Sequence, residues 1–374
     1  MNRKTVIWTS ILLILFLGII ITGFILNQPY EEKITVGIIL PLSGSAAYYG
    51  EASQRGMMIA QEEIAKQFPN LKLHIYYEDS AYTPKEGVNA YNKLKTAEEI
   101  DAIITAASHV SLAIQPLAAQ DNILQMAIFS SAGKYTSPDD LSFRVSTRSE
   151  LEADALVKFL KEKELADIGI LYINNDFGLS FREALKEEIR KQSANIIVVG
   201  EESYILEDSD FRTILTKIKA KNPDAIFMVG TAGHYALILR QAKELGIQAI
   251  FVSMRSAEDP VLLKTAGELA NGLVYTYPFD TTAERKETKA FVNAFKNKYN
   301  QVPDAYAAEG YEGFKLVALA LNECGKDDGC VKEYLSNTKN YKSVFGPLSF
   351  DTNGDVYYNF FYKTVENGKF VSIN

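Results

Sequence analysis

The sequence predicts an α/β protein: two doubly wound parallel-sheet lobes joined by three crossovers, a ligand cleft between them, and one N-terminal transmembrane helix in front. Three observations predict it. Residues 34–64 pass from an apolar β-rich run (Ile34 to Leu40) through a Pro-Ser-Gly-Ser loop into a helix with Ala52, Gly56, Ile59, Ala60 and Ile64 on one face, the opening βα unit of a parallel sheet. The βα pattern then repeats, breaks near Phe143–Thr147, starts again and returns. Finally, 374 residues is long for one core and comfortable for two lobes of about 150 residues each.

At the N-terminus, Arg3 and Lys4 precede 21 uncharged residues, Val6 to Leu26. At about 1.5 Å per residue such a helix spans the hydrocarbon core. Basic residues before it keep that end cytoplasmic and put the bulk of the protein outside. A cleaved signal peptide is the competing reading, but its apolar stretch is usually shorter, about 7–15 residues, and ends at small residues, whereas this one ends TGFILNQPY. The expectation is a single-pass membrane protein with its C-terminal domain extracytoplasmic, secreted if the segment is cleaved.

In the first series, strands are expected at 34–40, 71–77, 102–106 and 125–129, each followed by small polar residues. Ser111 is expected to cap a helix starting at Leu112. Phe143–Thr147 reads as a crossover, and Ser149 with Glu152 as a capping box. A second series follows, with strands at 167–173, 196–200, 225–229, 249–253 and 272–276 and helices at about 179–192, 211–220 and 235–245, the last stopped by Gly246. TYPFD at 276–280 reads as a second crossover, and helices at about 284–299 and 305–323 return to the first lobe. A short helix and a hairpin, FGPLSFDTNGDVYYNFFYKTV, close the chain. The lobes are expected at 34–145 plus 278–344 and at 146–277 plus 345–374, after a 1–30 anchor.

Composition is that of a globular protein, 47% hydrophobic and 23% charged. Net charge is -8; without Arg3 and Lys4, 37 basic residues face 47 acidic ones, or -10. Nucleic acid, which needs a basic face, is not an expected partner. Cys324 and Cys330 lie six apart. Outside the cytoplasm that spacing suits a short disulfide between a helix end and the next helix start; two free thiols are the other reading. With no histidine nearby, zinc is not expected there. DTNGD at 351–355 opens like a calcium loop, but Tyr362 stands where the bidentate acid belongs, so a hairpin turn is expected. Dinucleotide, phosphate-loop, metalloprotease and nucleophile-elbow motifs are absent. Neither an enzyme nor a cofactor is expected.

The loop G-x-x-x-P-L-S-G-x-x-x-x-x-G at 37–50 resembles the first βα unit of the Leu/Ile/Val-binding proteins, solute-binding proteins of ABC importers with the type I periplasmic binding fold. Further matches follow in order: YYEDSAYTP, SLAIQPLA, NNDFG, DFRTILTKIKAKNPDAIFMVG, LRQAKELG and FGPLSFDTNGD, together covering about residues 34–370. The resemblance implies a ligand carboxylate held by hydroxyls and backbone N–H groups, an ammonium facing an acid, and aromatic rings over the side chain. Residue by residue it points to Ser111, to Ser130, Ser131 and Ala132 (where the family usually ends in threonine), to Tyr49, Phe177 and Tyr306 as the aromatics, and to Thr231 in another aromatic's place. His109 is a further candidate to line the cleft. By type alone each serine is equally a cap or turn residue and each ring core packing.

The largest departure is Arg255 in FVSMRS, near where the family places its ammonium-binding acid. A buried arginine there repels an ammonium and clamps a carboxylate; a surface arginine is the plainer reading. Glu258 and Glu309 are nearby candidates for the missing acid. The resemblance implies an extracytoplasmic protein that closes on a branched-chain amino acid or related small carboxylate or amide and docks on ABC permease subunits. The alternative is a ligand-sensing ectodomain acting through a partner, since about five residues before the apolar span are too few for an output domain.

Overall fold

The structure, a computed structural model, describes residues 33–138 and 140–373. The apolar run Val6–Leu26 lies outside them. Among the described residues no helix is long and apolar enough to cross a membrane.

The first layer alternates β1 (Ile34–Leu40), α1 (Ala47–Gln67), β2 (Leu73–Asp79), α2 (Pro84–Ala97), β3 (Ala102–Ala106), α3 (Ser108–Gln120), β4 (Leu124–Ile128) and β5 (Ser142–Arg144). Its sheet is parallel throughout, in the order β2-β1-β3-β4-β5. Strands β1, β3 and β4 are buried along their whole length, the run of apolar side chains that a sheet covered on both faces demands.

The second layer begins with α4 (Ser149–Glu162) and continues β6 (Asp167–Ile173), α5 (Asp176–Lys191), β7 (Ile197–Tyr204), α6 (Arg212–Lys219), β8 (Ala225–Val229), α7 (Ala232–Glu244), β9 (Ile250–Ser253), α8 (Pro260–Ala266) and β10 (Val274–Tyr277). The chain then supplies α9 (Lys286–Tyr299), α10 (Ala305–Cys324), α11 (Asp328–Ser336) and a hairpin of β11 (Tyr341–Ser343) and β12 (Gly346–Leu348). It ends in the hairpin of β13 (Phe361–Glu366) and β14 (Lys369–Ile373), which extends the second sheet. That sheet runs β14-β13-β10-β9-β8-β6-β7, antiparallel only at the added hairpin.

Helix α10 returns to the first layer and lies on α1. The contact depends on missing side chains: a Cβ on Gly56 would stand 1.8 Å from the Ala307 carbonyl oxygen, and one on Gly310 would stand 2.3 Å from that of Ser53. The β11–β12 hairpin joins the same side, for Thr288 Oγ donates to the Val344 carbonyl at 2.8 Å and Glu312 accepts the Val344 N–H at 2.6 Å. Residues 345–348 therefore stay with the first layer. Cys324 and Cys330 are bonded, with Cα atoms 5.5 Å apart.

The first and third passages between the layers run side by side, with Thr147 bridging Val356 in parallel. Arg144, fully buried, donates from Nε to Asp355 at 2.6 Å and from Nη1 to the carbonyls of Ser130 at 3.1 Å and Ala132 at 2.7 Å.

Three local expectations are corrected. Helix α3 starts at Ser108, not Leu112: the chain turns through Ala107 at φ 72°, so the Ser111 N–H already bonds inside the helix, to Ala107 O at 2.8 Å. The capping box at Ser149 does not form; Ser149 is the first helical residue, its N–H goes to Ser131 O at 2.9 Å, and Glu152 turns to the Thr276 hydroxyl. The closing segment is two separate hairpins, and DTNGD is a turn in the passage between them, held by Asp351 accepting the N–H groups of Asn353 and Asp355 at 2.8 and 2.9 Å. Among the described residues no acidic, cysteine or histidine cluster could hold a metal.

Candidate functional site

In parallel α/β sheets the residues free to meet a ligand are those just past the carboxyl ends of the strands. Here both sheets aim those ends at one cavity. Tyr49, Tyr82, Ala107, Ser108, Phe129 and Tyr306 line it from the first layer, and Phe177, Gly230, Arg255 and Ser256 from the second. Ala107, Phe129 and Gly230 directly follow β3, β4 and β8. The cavity encloses about 20 Å³, space for one water molecule.

Aromatic rings fill most of it. Tyr49 stacks on Tyr306 with centroids 4.6 Å apart, and Phe129 stands edge-on to Tyr306 at 5.3 Å. The Tyr49 hydroxyl reaches the second layer, donating to Ser256 O at 3.0 Å and accepting from the Ala232 N–H at 3.1 Å. Three lining residues hold left-handed backbone without being glycine: Tyr82 at φ 59°, Ala107 at 72° and Phe129 at 30°. Each such residue costs on the order of 1–3 kcal/mol, a strain that clusters at ligand sites. The surroundings hold it in place. The Phe129 N–H donates to Glu309 Oε2 at 2.6 Å, and the Tyr82 carbonyl accepts from His109 Nε2 at 2.8 Å.

The charged centre is an ion pair between the layers. Arg255, 5% exposed, gives Nη1 to Oε1 of Glu309, which is fully buried on α10. Glu309 Oε2 also accepts the Ser146 hydroxyl at 2.9 Å. Burial opposes the Arg255 charge most strongly, but Glu309, Tyr306 and Glu152 together outweigh it and hold the guanidinium above its ordinary range. Burial raises the Glu152 carboxyl, with Arg255 partly offsetting it. Glu258, the other candidate acid, is engaged elsewhere, with the Tyr275 hydroxyl at 2.6 Å and Lys363 at 2.5 Å.

Among the residues expected from sequence, Tyr49, Phe177, Arg255 and Tyr306 line the cavity together. Ala132 stands beside it: its N–H and that of Ser131 donate to Ser108 Oγ at 3.2 and 3.1 Å. Ser130 and Ser131 are buried, and neither hydroxyl has a partner among the described residues. His109 lies behind the cavity wall, edge-on to Tyr82 at 4.6 Å, its imidazolium disfavoured by burial. Ser111 and Thr231 are not cavity residues. Ser111 Oγ accepts from Thr105 at 3.0 Å inside the first layer, and Thr231 Oγ1 meets His234 Nδ1 at 3.0 Å.

A family model for periplasmic binding proteins matches residues 33–367. The chain belongs to that family. The leucine-, isoleucine-, valine-, threonine- and alanine-binding protein of Pseudomonas aeruginosa is 25% identical over 352 residues, 91% of this chain and 92% of the relative. A branched-chain amino acid transporter substrate-binding protein from Streptococcus pneumoniae, solved with isoleucine, superposes with a TM-score of 0.81 at 25% identity, over 91% of this chain and 100% of that one. A leucine-binding protein from Thermotoga maritima shares the fold with a TM-score of 0.83 at 24% identity, over 91% and 98%.

Within this periplasmic binding protein the reading from sequence missed Tyr82, Ala107, Ser108, Phe129, Gly230 and Ser256. Ser108 and Ser111 sit one helical turn apart, and it is Ser108 that lines the cavity. The signal that could have found most of the others is position: the first residues after each apolar run.

Proposed function

We propose that the chain is the extracytoplasmic substrate-binding protein of an ABC importer. It takes a small carboxylate, a related amide or a branched-chain amino acid between two lobes and catalyses no reaction. The lobes are residues 34–145 plus 278–348 and 146–277 plus 349–374, the last boundary moved from 344 past the β11–β12 hairpin. Residues Val6–Leu26 hold it at the membrane, and the closed form meets the permease subunits.

One observation carries this reading: in a member of the periplasmic binding protein family, a cavity lies where the carboxyl ends of both sheets meet and is lined from both. The relatives whose names give amino acids as their ligands support the ligand class. A ligand pocket usually has about 300–1,000 Å³, so binding requires the layers to part at the three passages, as in hinge closure. A thermal-shift screen of the chain against two sets, amino acids on one side and carboxylates and amides without an ammonium on the other, tests the reading. A ligand at about a hundred times its Kd stabilises the folded state by about 2.7 kcal/mol, which raises the melting temperature by several degrees. No shift with either set refutes it.

A further inference from the structure

The cavity is rich in donors and poor in acceptors. Ser108 Oγ accepts two backbone N–H groups, from Ser131 and Ala132, so its own proton remains to be donated. Ser108 also opens the 13-residue helix α3, whose N-terminus favours negative charge. From the opposite layer Arg255 lines the cavity, spends one of its N–H groups on Glu309 and holds its guanidinium over the ring of Tyr306, 5.8 Å from the centroid.

The acceptors nearby are committed. Both oxygens of Glu309 are engaged, by Arg255 and by the Phe129 N–H and Ser146 hydroxyl. Glu152 is turned to Thr276, Glu258 to Tyr275 and Lys363, and Asp176 to Lys134. Of the lining carbonyls, Gly230 O already accepts from Tyr235 and Ser256 O from Tyr49. An ammonium entering here would find a guanidinium and, among these groups, no carboxylate that is not already paired.

Resting on the cleft reading above, we infer that the site selects carboxylates lacking an α-ammonium group, with Arg255 and Ser108 gripping the carboxylate from the two layers and Glu309 positioning Arg255. The uncharged remainder lies among Tyr49, Phe129, Phe177 and Tyr306. Calorimetric titration of the full chain with leucine, 4-methyl-2-oxopentanoate and 4-methylpentanoate isolates the α-substituent, because the three share a carboxylate and branched tail. The expected result is binding of both ammonium-free acids at least about tenfold tighter than leucine. Leucine binding as tightly or more tightly overturns the inference and leaves the cleft reading standing; failure of all three overturns the inference, and only silence across the wider thermal-shift screen overturns the cleft reading as well. Arg255→Lys keeps the charge and removes the planar fork, so the keto acid should bind at least about tenfold more weakly with the fold intact by circular dichroism. Unchanged affinity removes Arg255 from the site. If that variant does not fold, Ser108→Ala must show the same loss, and full affinity in it overturns the two-sided grip.

Discussion

At the residue scale, buried charge sets what each group can do. Arg255 is tolerable in the interior because Glu309 meets it, and Glu309 is tolerable because two further donors complete its coordination. Glu312, one residue-triplet further along α10, is the contrasting case. It is 1% exposed, and burial pushes its carboxyl up to about 7. The folded state then binds more protons than the unfolded chain between about pH 4.5 and 7, so this group's contribution to stability falls as pH rises through that window. Glu312→Gln removes the charge and keeps an acceptor for the Val344 N–H. At pH 8 it should be more stable than the parent by roughly 3–4 kcal/mol, from about 2.5 pKa units at about 1.4 kcal/mol each, and the gain should vanish below about pH 4.5. Urea unfolding at a series of pH values checks this; a gain that does not depend on pH would show that charge is not its source.

At the element scale, the site depends on helices being in the right place more than on the loop between them. Tyr49 and Tyr306 stack because α1 and α10 cross closely at Gly56 and Gly310. Gly56→Ala drives a methyl into backbone that no rotamer change can relieve. The expected cost is about 1–3 kcal/mol or more, together with weaker ligand binding as the two rings separate. A lowered melting temperature with unaltered affinity would mean that the helices shift without disturbing the cleft. The strands and most helices were legible from sequence, because buried parallel strands are continuous apolar runs such as AIITA and AIFMV. The start of α3 was not. Its turn uses Ala107 at positive φ, which no sequence rule assigns to alanine; packing imposes it.

At the scale of the whole molecule, the passages between layers are tied by the buried Arg144–Asp355 pair. Arg144 joins the end of the first layer to a turn more than two hundred residues later, and also fixes the carbonyls of Ser130 and Ala132 beside the cavity. Arg144→Leu leaves the buried Asp355 carboxylate with only the Thr136 hydroxyl at 2.7 Å and the more distant Arg148 at 3.6 Å, and should cost up to about 3–5 kcal/mol. The double variant Arg144→Leu/Asp355→Leu should lose less than the sum of the single variants, because removing both charges abolishes the uncompensated one. Denaturant unfolding of the three variants checks it, and simple additivity would mean that the pair is not coupled.

The sequence by itself determined the α/β class, the order of nearly every strand and helix, the family resemblance and the aromatic candidates Tyr49, Phe177 and Tyr306. These follow from local periodicity and from motifs, which are written in consecutive residues. Only the tertiary structure decided that Ser108 rather than Ser111 meets the cavity, that Thr231 turns to His234, and that Arg255 finds its acid in Glu309, 54 residues away. A side chain's partner across a cleft depends on how two layers dock, and that geometry arises from packing summed over the whole chain rather than from any one stretch.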